Sequence, residues 1–233
     1  MAVRLTLLVL GSVVFTLALA LMVAFLVGSI VVPQIAGDRG SSQNPYASVV
    51  GPELIGRPVT RFTVNSTKGV IEVPVPGRVN VITPQYVGCP DVCHWETAIL
   101  LALFQLVYEN GLTDKVAFIT IGVDPWSENL DIARGYQLAR AKQWLEKNIY
   151  WAWVYDNLTV MNRLWGEYEI YVERDNRTGL VTHFAGFIVV VKDRISYLVV
   201  PTAEGWSKPG KVAEILYNII VRETEKLEGG GSG

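Results

Sequence analysis

Val79-Asn80-Val81-Ile82-Thr83 leads, after four further residues, into Gly88-Cys89-Pro90-Asp91-Val92-Cys93-His94, and this junction decides the fold. The first segment is β-branched and apolar, as a buried strand requires. The second opens Asp91–Glu109, a stretch almost wholly apolar from Ala98 to Tyr108 that reads as a core helix, with Asp91 at its cap. A strand feeding a helix through a short loop is where α/β sheets gather ligands. Free helix amides there favour anions and lower the pKa of a nearby thiol. Cys89 and Cys93 stand four positions apart and are the only two cysteines of the chain. One helical turn would set such side chains on one face, near enough to share a metal ion or to form a disulfide.

Strands and helices alternate outward from this junction. Arg61–Val64 and Val70–Val75 read as a hairpin turning at Lys68-Gly69. Val116–Val123 and Tyr150–Tyr155 read as strands, with a helix over Glu128–Lys147 capped by Ser127 between them. Leu158–Gly166 reads as a short helix, and Tyr168–Val181 as a long excursion. Phe184–Val191, opened by His183, and Ile195–Val200 form a closing hairpin before an amphipathic helix over Lys208–Leu227. Apolar strands between helices imply α/β architecture: a thioredoxin-like mixed sheet flanked by helices.

The chain has 233 residues, 20 Lys+Arg against 22 Asp+Glu, and 50% apolar residues. A near-neutral balance argues against nucleic acid as a partner, since phosphates demand a basic face. So apolar a composition excludes disorder. Leu5–Val32 carries no charge over 28 positions and is long enough for a single transmembrane helix. It exceeds the apolar core of a cleaved signal peptide. Arg4 before it places the N-terminus in the cytoplasm and the remainder outside the cell membrane. Sequons at Asn65, Asn157 and Asn176 fit that side. Residues 33–54, rich in Gly, Ser, Asn and Pro, read as a tether; 55–228 form the domain and 229–233 a flexible Gly-Ser tail.

The two thiols admit several chemistries. Thioredoxin-type redox motifs and c-type haem attachment both need Cys-x-x-Cys, one residue shorter than the spacing here. A structural disulfide over so small a loop constrains the unfolded chain little. Two thiolates with the imidazole of His183 make a soft trigonal set suited to copper. Adding His94 makes a four-donor set suited to zinc, although adjacent helical residues diverge by about 100°.

Cys89-Pro90-Asp91-Val92-Cys93 after an apolar strand, Val123-Asp124-Pro125, the distal His183 and the N-terminal span together resemble the Sco (SCO1/SenC) family of membrane-anchored copper proteins. The resemblance covers about residues 55–225. It implies copper held by Cys89, Cys93 and His183, and a chaperone role in building the dinuclear copper site of cytochrome oxidase subunit II or of another extracytoplasmic copper protein. The chain departs from the pattern at His94, Trp126-Ser127 and Thr182, where the family usually has Pro, charged residues and Asp. The expected function is therefore a metallochaperone more than an enzyme. Two alternatives remain: a thiol-disulfide reductase in which Cys89 attacks and Cys93 resolves, and an assembly module stabilised by zinc.

Overall fold

The computed structural model describes residues 44–229. Strand β1 (Ala47–Val50) is followed by a short helix α1 (Pro52–Ile55), β2 (Arg57–Pro58), and a hairpin of β3 (Phe62–Ser66) and β4 (Gly69–Val73). Then come β5 (Val79–Gln85), α2 (Cys93–Glu109), β6 (Val116–Gly122), α3 (Leu130–Glu146), β7 (Trp151–Val154) and α4 (Leu158–Glu167). A small ribbon, β8 (Val172–Arg174) with β9 (Val181–His183), precedes β10 (Phe187–Val191), β11 (Arg194–Pro201), α5 (Ala203–Ser207) and α6 (Pro209–Gly229).

Nine strands form one sheet in the order β1-β11-β10-β5-β6-β7-β3-β4, with β2 added against β11. The central β5, β6 and β7 run parallel, from Val79 opposite Val116 to Gln85 opposite Gly122 in the first pair. The flanking pairs are antiparallel, so the sheet is mixed, as expected. Alternation along β6 assigns the two faces: Val116 and Phe118 point to one core, Ala117, Ile119 and Ile121 to the other. The first core receives Ile99, Leu103 and Val107 of α2 and Val212, Leu216 and Ile220 of α6. The second receives Met161, Leu164 and Trp165 of α4. The spacing of three and four along α2 explains its burial, and a truncation such as Leu103→Ala costs about 2–5 kcal/mol.

Four expectations need correction. Ala47–Val50, placed in the tether, is an edge strand paired with Leu198–Pro201; its β-branched Val49 and Val50 take the free edge of β11. The helix expected from Asp91 begins at Cys93, and Asp91 does not cap it. The helix expected from Glu128 begins at Leu130, and Asn129 rather than Ser127 caps it, accepting from the amides of Asp131 and Ile132. His183 does not open β10: it ends β9, in a two-stranded sheet of its own. Among the described residues no helix is long and apolar enough to cross a membrane, and the span expected over 5–32 lies outside them.

Candidate metal centre

The parallel strands β5 and β6 end side by side, and the loops that leave them build the site. Cys89 sits in the loop after β5, half-buried, while Cys93 is the first residue of α2 and buried. The amides of Asp91 and Cys93 point at the Cys89 sulfur.

Cys89, Cys93 and His183 bring one ligand atom each within 4.8 Å of one another. Cys93 Sγ lies 3.3 Å from His183 Nε2, and His183 Nδ1 lies 2.6 Å from the carbonyl oxygen of Phe184. A carbonyl only accepts, so Nδ1 carries the proton and the Nε2 lone pair faces the sulfurs. Such a backbone partner is how metal-binding imidazoles are commonly fixed. Both thiols are free. The hydrogen bond from Cys93, with the amides of Asp91 and Cys93, pulls the Cys89 thiol well below its ordinary pKa, against the opposing effect of burial. The same pairing with Cys89, and then burial, pushes Cys93 up. Cys89 is therefore the more acidic of the two sulfurs, and Cys93 the one whose proton an incoming cation must displace.

Glu128 fixes the loop on the cysteine side. Its Oε2 accepts from the Val87 amide at 2.8 Å and the Tyr155 hydroxyl at 2.7 Å, and its Oε1 accepts from the Gly88 amide at 2.7 Å. The Tyr155 ring in turn occupies the space that a side chain at Gly122 would need. Gln85, at the end of β5, donates to the Cys93 carbonyl at 3.0 Å. On the other side, Tyr86 sets its ring edge against His183, with centroids 5.8 Å apart, and donates to the Val181 carbonyl at 3.3 Å.

Of the predicted residues, the structure gathers Cys89, Cys93 and His183 and leaves His94 out. His94 is exposed on α2, its ring 4.9 Å from that of Trp95, and lies outside the donor cluster. The four-donor zinc set is accordingly not formed, for the angular reason that adjacent helical residues diverge. Trp126 packs against Trp165 and under the Arg174 guanidinium. Asp124 forms a turn, its carbonyl accepting from the amides of Ser127 and Glu128. Sequence reasoning missed Glu128, Gln85 and Tyr155 altogether. Gln85 and Tyr155 are marked only by polar character at apolar strand ends, and Glu128 only as an acidic residue before a helix, which does not announce a partner.

The arrangement defines a thiol–imidazole metal-binding protein on a mixed α/β sheet: two sulfurs and one ring nitrogen at the carboxyl end of parallel strands. The comparisons name the lineage. The family model described as SCO1/SenC matches residues 56–219, and the chain belongs to that family. No curated protein matches the chain. The fold is similar to apo Sco1 from Thermus thermophilus, with TM-score 0.57, 20% identity, and coverage of 78% of this chain and 99% of that one. It is similar to ScoI of Bradyrhizobium japonicum with copper bound, with TM-score 0.53, 18% identity, and coverage of 69% and 98%. It is also similar to BsSco, described as having a disulfide switch and belonging to the cytochrome c oxidase assembly proteins, with TM-score 0.54, 17% identity, and coverage of 74% and 94%.

Proposed function

We propose that this protein is a copper carrier held at the outer face of a membrane by its Leu5–Val32 segment, and that it delivers the ion to the dinuclear copper site of cytochrome oxidase subunit II. The observation that carries this reading is the convergence of two sulfurs and one ring nitrogen within 4.8 Å. Two thiolates and a neutral imidazole match the softness and low coordination number of Cu(I). The His183 Nδ1–H bond to Phe184 leaves Nε2 free to donate its lone pair to the ion. Membership of SCO1/SenC, the copper of the Bradyrhizobium relative and the assembly role given for BsSco support the same cargo and recipient class. Transfer is then ligand exchange, and a shared membrane surface raises the effective concentration of the two partners. The test is anaerobic titration of the reduced full chain with Cu(I), followed by X-ray absorption. The expected result is one ion bound by two sulfurs and one nitrogen. Stoichiometric tight binding retained in Cys89→Ala overturns the reading.

A second reading, thiol-disulfide reduction, is favoured by the asymmetry of the thiols. The half-exposed Cys89 thiolate attacks a partner disulfide and expels one partner thiolate, giving a mixed disulfide. Cys93, after losing its proton, attacks the Cys89 sulfur and releases the second partner thiolate. The partner gains two electrons and this chain is left with a Cys89–Cys93 disulfide. His183→Ala separates the readings: it weakens copper binding and leaves disulfide reduction unchanged.

A further inference from the structure

Glu96 takes no part in the chemistry above, yet it is completely buried at 0% exposure, one turn into α2 from Cys93. Its Oε1 accepts from the Gly186 amide at 2.9 Å. Its Oε2 has no hydrogen-bond partner, nor do Gln85 Oε1 and Thr83 Oγ1 beside it. Gln85 has committed its nitrogen to the Cys93 carbonyl and to Thr97 Oγ1. Buried polar atoms without partners are costly; the Thr83 hydroxyl is the one uncommitted donor among them, and a proton on Oε2 supplies a second. Burial, the dominant influence, accordingly holds the Glu96 carboxyl well above the usual carboxylate range.

The Gly186 end of the contact matters to the site. Gly186 has φ of +152°, and a Cβ there would lie 2.8 Å from the Phe184 ring and 2.9 Å from the Val199 carbonyl oxygen. The chain therefore turns sharply between His183 and β10, and Phe184, whose carbonyl orients His183, lies inside that turn. The ribbon β8–β9 has no ladder to the main sheet. We propose that Glu96 is a positioning residue: by holding the Gly186 amide it sets the loop that carries His183 against the helix that carries Cys93. It acts on metal affinity through His183 and not through the sulfurs.

This inference rests on the copper reading, and the experiment keeps the two apart. Cu(I) affinity is measured by competition with a chromophoric chelator for the wild type, Glu96→Met, Glu96→Gln, His183→Ala and the double variant Glu96→Met/His183→Ala. Failure of the wild-type chain to bind copper defeats the copper reading itself. With wild-type binding in hand, Glu96→Met is expected to weaken affinity about ten-fold or more, as loss of a supporting partner commonly does. Glu96→Gln keeps the oxygen for Gly186 and supplies an N–H, so it should stay within about three-fold of wild type. Adding Glu96→Met to His183→Ala should cost nothing further, because the residue through which it acts is gone. Additive losses in the double variant, or a Gln variant as weak as Met, overturn the proposal. If Glu96→Met does not fold, Glu96→Asp serves, since it withdraws the carboxyl by one methylene. Wild-type affinity in a folded Glu96→Asp then overturns it equally.

Discussion

The two halves of the metal centre are built by different means. The sulfurs belong to the central sheet and to a helix packed in the main core: Cys93 begins α2, and Glu128 clamps the Val87 and Gly88 amides that lead to Cys89. The imidazole belongs to a two-stranded ribbon outside the nine-stranded sheet. That ribbon and the turn after it meet the cysteine side through the hydroxyl of Tyr86 on Val181 and the carboxyl of Glu96 on Gly186. Core packing therefore holds both the thiols and Val181 of the ribbon, whereas the polar contacts of Tyr86 and Glu96 set the turn that orients the ring. Hydrophobic burial is insensitive to small displacements, but hydrogen bonds fail within a fraction of an ångström, so the histidine half is the more easily lost.

The comparison is broken most decisively by the ligands themselves. Cys93→Ala should abolish tight Cu(I) binding, a loss on the order of a thousand-fold or about 4 kcal/mol. His183→Ala keeps both thiolates and should lose about 10–100-fold. Equal losses in a chelator competition would mean that ring and sulfurs contribute alike. Folding stability sharpens the contrast next. Glu128→Ala orphans the Val87 and Gly88 amides and the Tyr155 hydroxyl, and should lower the stability of the metal-free protein by about 3 kcal/mol in urea titration. Tyr86→Phe removes only a 3.3 Å bond to the ribbon and should cost about 1 kcal/mol. A larger cost for Tyr86→Phe reverses the order of the two halves.

The smallest effect is in the pH profile. Burial raises the Glu96 carboxyl, so between the ordinary carboxylate value and its raised value the folded state binds the proton that the unfolded state has released. Stability then falls as pH rises through that window, and the negative charge on Cys89 acts in the same direction. Glu96→Gln has no such proton to lose. Its stability should exceed that of wild type at neutral pH and match it in acid below the ordinary carboxylate range, where both are uncharged. Parallel curves for the two proteins across that range would show that Glu96 is not held neutral.

Much of this was legible in the sequence, and unevenly so. The β-branched run before Cys89 and the three-and-four spacing of α2 fixed the strand, the helix and the sulfurs, because periodicity records which face is buried. The approach of His183 is anticipated from the demand of two thiols for a third donor and from the resemblance to the SCO1/SenC family. Its local setting was misread, because Phe184–Val191 looks like one uninterrupted strand. The break comes from the positive φ of Gly186 and the buried carboxyl of Glu96, residues 90 positions apart in the chain. Glu128 reads as the start of a helix for the same kind of reason: its amide partners lie 41 and 40 positions upstream and its tyrosine partner 27 downstream. Local propensity does not see such tertiary hydrogen bonds.

Gly122 lies at the end of β6 and bears no donor, charge or sulfur. Even so, a single added methyl group there must push the Tyr155 ring aside. The ring's hydroxyl steadies Glu128, and Glu128 steadies the backbone that presents Cys89. A naturally occurring alanine at this position would thus be felt as slackened hold on the cargo, relayed from ring to carboxylate to amide, in a protein whose three ligands are all intact.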